Sequence, residues 1–381
     1  MSAKLIGNWN YPTAIKFGAG RIRELPDHVR ALGMKRPLLV TDKALAALPV
    51  TQQTLSLVAE AGLFCDVQSN PTEQNLEAGV AAYRSGGHDG VIAFGGGSGL
   101  DLGKLIAFMS GQKRPVWDFE DIGDWWTRAD PAGIAPIIAA PTTAGTGSEV
   151  GRAGVVTDTK AHVKKVIFHP KMMPSIVICD PELTVGMPPA ITAGTGLDAF
   201  AHCLEAYCAP FYHPLADGVA VEGMRLVKTY LPRAHKTPND IEARGHMMSA
   251  AAMGATAFQK GLGAIHALSH PIGALYNTHH GTTNAVVMVA VLEANRTAIE
   301  TKIDRLAAYL GVTGGFDGFL DFIRQFLRDL GVPATLSEFG VPRSGFDQIL
   351  AMALEDPTAG GNPLPLTKEL AGAMLEAAFE G

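Results

Sequence analysis

Gly90-Val-Ile-Ala-Phe94, running into Gly95-Gly-Gly-Ser98-Gly-Leu-Asp101, reads as a strand, a glycine turn and the start of a helix. The apolar run does not alternate, which is the pattern of a strand covered on both faces of a parallel sheet. Pro37-Leu-Leu-Val-Thr41 before it and Ile134-Ala-Pro-Ile-Ile138 after it repeat the pattern. Helical spacing fills the intervals Lys43 to Gly62 and Glu73 to Tyr83. This β-α-β order predicts an open α/β sheet. Gly154 to Thr157 and Ser175 to Cys179 add further strand-like pieces. After Asp180-Pro-Glu182 the pattern changes. Gly218 to Tyr230, Ile241 to Phe258 and Ile299 to Leu310 carry helical periodicity and few β runs, so the second half is expected to be all helical. A chain of 381 residues is too long for one ordinary core. The expected division is an α/β domain over 1–184 and a helical domain over 185–381.

Composition narrows the function classes. A hydrophobic fraction of 47% against 18% charged describes a well-buried chain and excludes disorder. A net charge of −6 offers no electrostatic footprint for nucleic acid, and Lys164-Lys165 is the nearest approach to a basic run. The longest apolar stretches, such as Ala285 to Leu292, are too short to span a membrane, and MSAKLIGNWNYPT has no secretory apolar region. Cys65, Cys179, Cys203 and Cys208 lack CxxC spacing and read as reduced core residues. The expectation is a cytoplasmic protein whose partner is a small molecule, with neither nucleic acid nor membrane involved.

The chemistry concentrates in two segments of the helical half. Asp198 and His202 are spaced i,i+4 and share one helix face; His266 and His270 repeat the spacing in GLGAIHALSHPIG. His279 and His280 follow in the next turn. Imidazole and carboxylate together suit a divalent metal, and no cysteine falls inside either segment, so a nitrogen-and-oxygen catalytic site is favoured over a structural zinc site. Spacing leaves open which of His270, His279 and His280 is not a ligand.

The α/β half carries two small-residue loops. Gly95 to Asp101 lets backbone N–H groups approach an anion at a helix N-terminus, with Ser98 and Asp101 at capping-box spacing. Alone, the loop reads more readily as a tight turn with no ligand, and it is not the GxGxxG fingerprint. Pro141-Thr-Thr-Ala-Gly-Thr-Gly-Ser-Glu149 is a second such loop after a buried strand. Ligands of open α/β sheets bind beyond the carboxyl ends of the strands, where both loops are expected. Thr142, Thr143 and Thr146 offer hydroxyls to phosphate or ribose. Asp42, after the first of these strands, is placed either to accept from ribose hydroxyls or to start a helix.

Six blocks, PTAIKFGAG, RPLLVTDK, GGGSGLDLGK, PTTAGTGSEV, DPELTVGMPPAITAGTGLDAFAHCLEAY and HALSHPIGALYNTHHGTTNAV, together resemble the iron-containing (group III) alcohol dehydrogenases. The resemblance spans nearly the whole chain. It implies the dehydroquinate synthase-like fold of that family, an α/β dinucleotide domain followed by a helical metal domain. It implies metal ligation by Asp198, His202, His266 and His280, with His270 beside the substrate and His279 outside the site. On the cofactor side it implies Asp42 and Asn70 near adenosine, and Gly97, Ser98 and Asp101 at the pyrophosphate with Thr142, Thr143 and Thr146. Lys164 is implied at the nicotinamide-side ribose, and Leu183 as an apolar cofactor contact. The cofactors implied are NAD in preference to NADP, and Fe²⁺, with Zn²⁺ possible for the same donors. Relatives are often dimers or larger, so a homo-oligomer is expected.

The activity implied is hydride transfer between a primary alcohol, or a short hydroxy acid or semialdehyde, and nicotinamide. His270 is a candidate proton relay. A divalent cation would lower the alcohol pKa or polarise the aldehyde. Three departures from the family pattern, Gly151-Arg-Ala153, Phe258-Gln-Lys260 and Asn362-Pro-Leu364, bear on substrate choice. Arg152 and Lys260 are read either as anchors for an anionic substrate tail, such as that of a short semialdehyde, or as surface residues. The rivals are a zinc-dependent polyol or glycerol dehydrogenase type and a scaffold of the same fold without chemistry.

Overall fold

The structure is a computed structural model that describes residues 12–161 and 163–380. It comprises two compact units, Tyr11–Gly186 and a second from Met187 onward. In the first, a six-stranded parallel sheet runs in the order β1-β8-β5-β4-β2-β3. Its strands are β1 (Ala14–Phe17), β2 (Leu38–Val40), β3 (Gly62–Phe64), β4 (Val91–Gly95), β5 (Ile137–Pro141) and β8 (Ile176–Cys179). Every residue of β2, β4 and β5 is buried. One face packs against Leu102, Leu105, Ile106 and Phe108 of the helix Gly97–Met109. The other packs against Leu25 and Val29 of the helix Leu25–Ala31. A separate antiparallel hairpin joins β6 (Ala153–Asp158) to β7 (Val163–Phe168).

The chain moves outward from β2 to β3, then returns to the far side of β2 to form β4. The strand order therefore reverses between β2 and β4, and a crevice opens there at the carboxyl ends. Asp42 follows β2 and the Gly95 loop follows β4, so the switch point gathers these two segments.

Local differences from the sequence reading have local causes. The helix expected over Lys43 to Gly62 is split into Lys43–Ala46 and Pro49–Ser56, because Leu48, before a proline, is extended. The three-residue β3 begins at Gly62, the last residue of that expected helix, and runs to Phe64. The strand expected at Ile134–Ile138 lies at Ile137–Pro141, its second half made of residues with little β preference. β7 was missed because Lys164 and Lys165 interrupt its apolar pattern.

The second unit is helical. Its central helix, Pro189–Cys208, is buried at every residue from Thr192 to Cys208. The helices Pro214–Lys236, Ile241–Ala257 and His280–Ala294 pack around it. All four cysteines are free thiols. Among the described residues, no helix is long and apolar enough to cross a membrane.

Candidate metal centre and dinucleotide loops

Asp198 and His202 project from one face of the central helix, with His202 Nε2 3.7 Å from Asp198 Oδ1. His266 comes from the helix Ala264–Tyr276, and His280 is the first residue of His280–Ala294. Their Nε2 atoms lie 3.9 and 3.5 Å from the same oxygen. One donor atom from each of the four residues falls within 4.8 Å of the others. Gly281 makes this approach possible. A Cβ there would stand 2.0 Å from the Gly194 carbonyl oxygen and 2.8 Å from Asp198 Cβ.

The side chains of Asp198, His202 and His266 are at most 7% exposed, whereas His280 is 33% and His270 30% exposed. The cluster therefore opens on the side of His270 and His280, whose rings stack at 5.4 Å. His279 is the N-cap of the helix His280–Ala294, its Nδ1 accepting from the Thr282 N–H at 3.3 Å.

The donors fit a divalent cation. Burial pushes the His202 and His266 imidazoles down to about 4, so both are neutral at pH 7 and offer lone pairs. His266 Nδ1 meets Glu205 Oε2 at 2.6 Å, while Glu205 Oε1 accepts from the Ile265 N–H at 2.6 Å. This holds the His266 ring with Nε2 toward the cluster, as a carboxylate behind a metal-binding histidine does. Asn284 bonds Asp198 Oδ1 through Nδ2 at 2.9 Å, and that nitrogen is also 3.3 Å from Nε2 of His266 and of His280. Its buried Oδ1 has no hydrogen-bond partner. Three imidazole lone pairs and a carboxylate, held together by one amide, are the surroundings of a cation rather than a self-sufficient polar core.

Neither Glu205 nor Asn284 was singled out from the sequence, although the spacing signal exists. Glu205 is three residues after His202, and Asn284 four after His280, so each shares a helix face with a donor. Asn362, of the departing Asn-Pro-Leu motif, is a clip. Its Oδ1 accepts from the Ala264 N–H at 3.2 Å, and its amide pairs with Asn295 at 2.9 and 3.0 Å, holding the start of the His266 helix.

The dinucleotide candidates gather in the α/β unit. The helix Gly97–Met109 begins with no side-chain cap, which leaves its first N–H groups free for an anion. The expected capping box is absent, since the N-cap is Gly96 and Ser98 lies inside the helix, donating to the Ser69 carbonyl beside Asn70. Asp101 instead ties the two loops together. It accepts from the Ser148 hydroxyl, from the Val155 N–H at 3.0 Å, and pairs with Lys104 at 3.1 Å. Gly97 faces Thr146, whose Cγ2 would be 2.7 Å from an added Cβ, and Gly96 faces Thr143 in the same way at 3.1 Å. Thr142 is buried and donates its N–H to the Gly95 carbonyl at 2.9 Å.

Asp42 caps the helix Lys43–Ala46 through the Leu45 N–H at 2.8 Å, using one carboxylate oxygen. Lys164 lies on β7 opposite Thr157, which in turn bridges to Thr72 just after Asn70. Leu183 sits in the apolar cluster with Leu25, Val29 and Ile178 and is 7% exposed. Lys260 departs from its expected role. Its ammonium is fully enclosed, pairing with Asp217 and donating to the Tyr207 carbonyl at 3.1 Å, so it is not available to a substrate. The Arg152 guanidinium lies 5.3 Å over the Phe168 ring.

Beneath the loops Glu149 is 2% exposed, and burial lifts its carboxyl to about 7, partly opposed by its hydrogen bond to the backbone and by Lys104. A carboxyl that ionises later in the folded than in the unfolded chain makes stability fall as pH rises from about 4.5 to about 7. Glu149→Gln is expected to remove that part of the slope. Urea midpoints measured at intervals from pH 5 to 7.5 check it, and parallel curves for both proteins would refute it.

Fold and site define a class, in which an α/β sheet with two glycine-rich loops joins, in one chain, a helical unit with a four-donor Asp-His cluster. Residues 12–181 match the family described as iron-containing alcohol dehydrogenase, and residues 192–379 match the C-terminal family of Fe-containing alcohol dehydrogenases. The chain belongs to the iron-containing alcohol dehydrogenase family. It is 40% identical to a 4-hydroxybutyrate dehydrogenase of Cupriavidus necator over 370 residues, covering 93% of this chain and 94% of that one. Among solved structures it is similar to a 1,3-propanediol oxidoreductase, with a TM-score of 0.93, 33% identity, and coverage of 98% and 100%. It is also similar to the sulfoacetaldehyde reductase of Bifidobacterium kashiwanohense, solved in complex with NAD+, with a TM-score of 0.90, 28% identity and 98% coverage of each chain.

Proposed function

We propose that this protein is an NAD-linked, iron-dependent alcohol dehydrogenase that interconverts a primary alcohol, or a short hydroxy acid, with its aldehyde. The observation that carries the reading is the four-donor cluster, Asp198, His202, His266 and His280, open on one side. Those residues would hold a divalent ion, whose chemistry is to lower the alcohol pKa and polarise the aldehyde carbonyl. His270, at the open side, would orient the substrate oxygen and accept its proton. Family membership supports Fe²⁺, although the same donors accept Zn²⁺, which stands higher in general affinity order.

The NAD preference rests on Asp42 beside the switch point, where a carboxylate repels a 2′-phosphate. The NAD+ complex of the similar sulfoacetaldehyde reductase agrees with it. Asn70, Gly97, Ser98, Asp101, Thr142, Thr143, Thr146, Lys164 and Leu183 would form the rest of the dinucleotide site. Relatives named for 4-hydroxybutyrate and for 1,3-propanediol favour a short substrate with a polar far end. We further propose a cytoplasmic homodimer or larger homo-oligomer, for which the edge position of β1 supplies a pairing strand.

Metal-stripped protein reloaded anaerobically with Fe²⁺ or Zn²⁺ tests the reading. NADH formation is followed across primary alcohols and hydroxy acids. The expected result is turnover with iron and little with zinc. Turnover with zinc alone would overturn the metal assignment, and none with either would overturn the activity.

A further inference from the structure

His270 is fixed from two sides. Its ring stacks on His280 at 5.4 Å with the planes 13° apart, and its Nδ1 lies 2.8 Å from Asp356 Oδ2. Asp356 is fixed in turn. Its Oδ1 accepts from the Thr358 N–H at 2.9 Å and from the Thr358 hydroxyl, as the N-cap of the short helix Pro357–Gly361. Asp356 is 86 residues from His270 in sequence, so the tertiary fold alone brings them together.

We propose that Asp356, buttressed by Thr358, is a positioning residue of the reaction. Its Oδ2 accepts a hydrogen bond from Nδ1–H of His270 and thereby leaves the lone pair on Nε2, at the open side of the metal cluster. An acceptor-only carboxylate selects the Nδ1–H tautomer of a neutral imidazole. Among the described residues no group hydrogen-bonds Nε2, and the side chain is 30% exposed beside His280. In that tautomer Nε2 can accept a hydrogen bond from a substrate hydroxyl; in the other it can only donate one. The stacking on His280 then fixes the ring plane while the carboxylate fixes the proton. Together they present one lone pair in one direction. The inference rests on the proposed role of His270 at the substrate, and the experiment separates the two.

The test uses Zn²⁺-loaded protein with ¹⁵N-labelled histidine, the His270 signal being identified by its loss in His270→Gln. The wild type is expected to show the Nδ1–H tautomer. In Asp356→Asn the amide can turn its NH₂ toward Nδ1, and the Nε2–H form is expected to appear; in Asp356→Ala a mixture is expected. With the metal that supports turnover, both variants should lower kcat about 10- to 100-fold with KM changed by less than about threefold and metal content unchanged. Asp356→Glu should recover part of the loss. The proposal is overturned if His270 keeps the Nδ1–H tautomer in both variants, if kcat stays within about twofold, or if activity falls only with the metal content. A wild type without dehydrogenase turnover would sink the proposed function, and the tautomer measurement would then decide the Asp356 assignment by itself.

Discussion

Asp198→Ala is expected to empty the metal centre and to lower turnover by about a thousandfold or more, leaving NAD binding intact. Asp198 is the only anionic donor of the four, and its Oδ1 is the atom to which all three histidine Nε2 atoms are referred, at 3.5 to 3.9 Å. Its loss leaves three imidazoles without an anionic partner and removes the acceptor that anchors Asn284. A Lewis-acid contribution of several kcal/mol corresponds to about a thousandfold in rate. Every dinucleotide candidate lies between Asp42 and Leu183, outside the segments that supply the donors. Metal analysis, steady-state kinetics and NADH fluorescence titration on one preparation check all three parts. Retained metal with full turnover would end the assignment of the centre, and lost NAD affinity would show the substitution to be globally disruptive.

Gly281→Ala is expected to have nearly as large an effect by a different route, since it alters no donor. Its Cβ would stand 2.0 Å from a backbone carbonyl, and neither that carbonyl nor the Asp198 Cβ at 2.8 Å can swing aside as a flexible side chain would. The helix beginning at His280 must shift, carrying its donor away from Asp198. Overpacking of this kind costs about 1–3 kcal/mol in stability. We expect metal affinity to fall more than about tenfold, as for other disturbances of donor orientation. Gly218→Ala is the control: nothing lies within 4 Å of its added Cβ, and in a helix interior the change should be neutral or stabilising by about 0.5–1 kcal/mol. Equal metal content in both variants, measured after identical loading, would refute the close-approach argument.

Much of the fold was legible because two periodicities divide the chain. Continuous apolar runs marked β2, β4 and β8, and helical spacing marked the second half. What escaped were short or interrupted elements: β3 is only three residues long, and β7 carries two lysines on a half-exposed hairpin. In the site, spacing brought Asp198 to His202 and His266 to His270, but it could not choose between His279 and His280. The resemblance made that choice; in the structure His279 caps the helix, while His280 lies with Asp198, His202 and His266. Glu205 and Asn284 were within reach of the same spacing argument. Asp356 was not, because no local pattern announces a partner supplied by a distant loop. Lys260 misled because a lysine near a site looks like a substrate anchor until the structure encloses it with Asp217.

The ties between the two small-residue loops have a thermodynamic consequence. Lys104, almost wholly buried, donates to the Ser148 carbonyl at 2.9 Å and to the Ala153 carbonyl, while Asp101 holds Ser148 and Val155. Glycine-rich loops ordinarily lose much conformational freedom when a ligand orders them. Here that freedom is already given up when the chain folds, so a dinucleotide bound at these loops, as proposed, would meet a preorganised cradle and retain more of its contact energy as affinity.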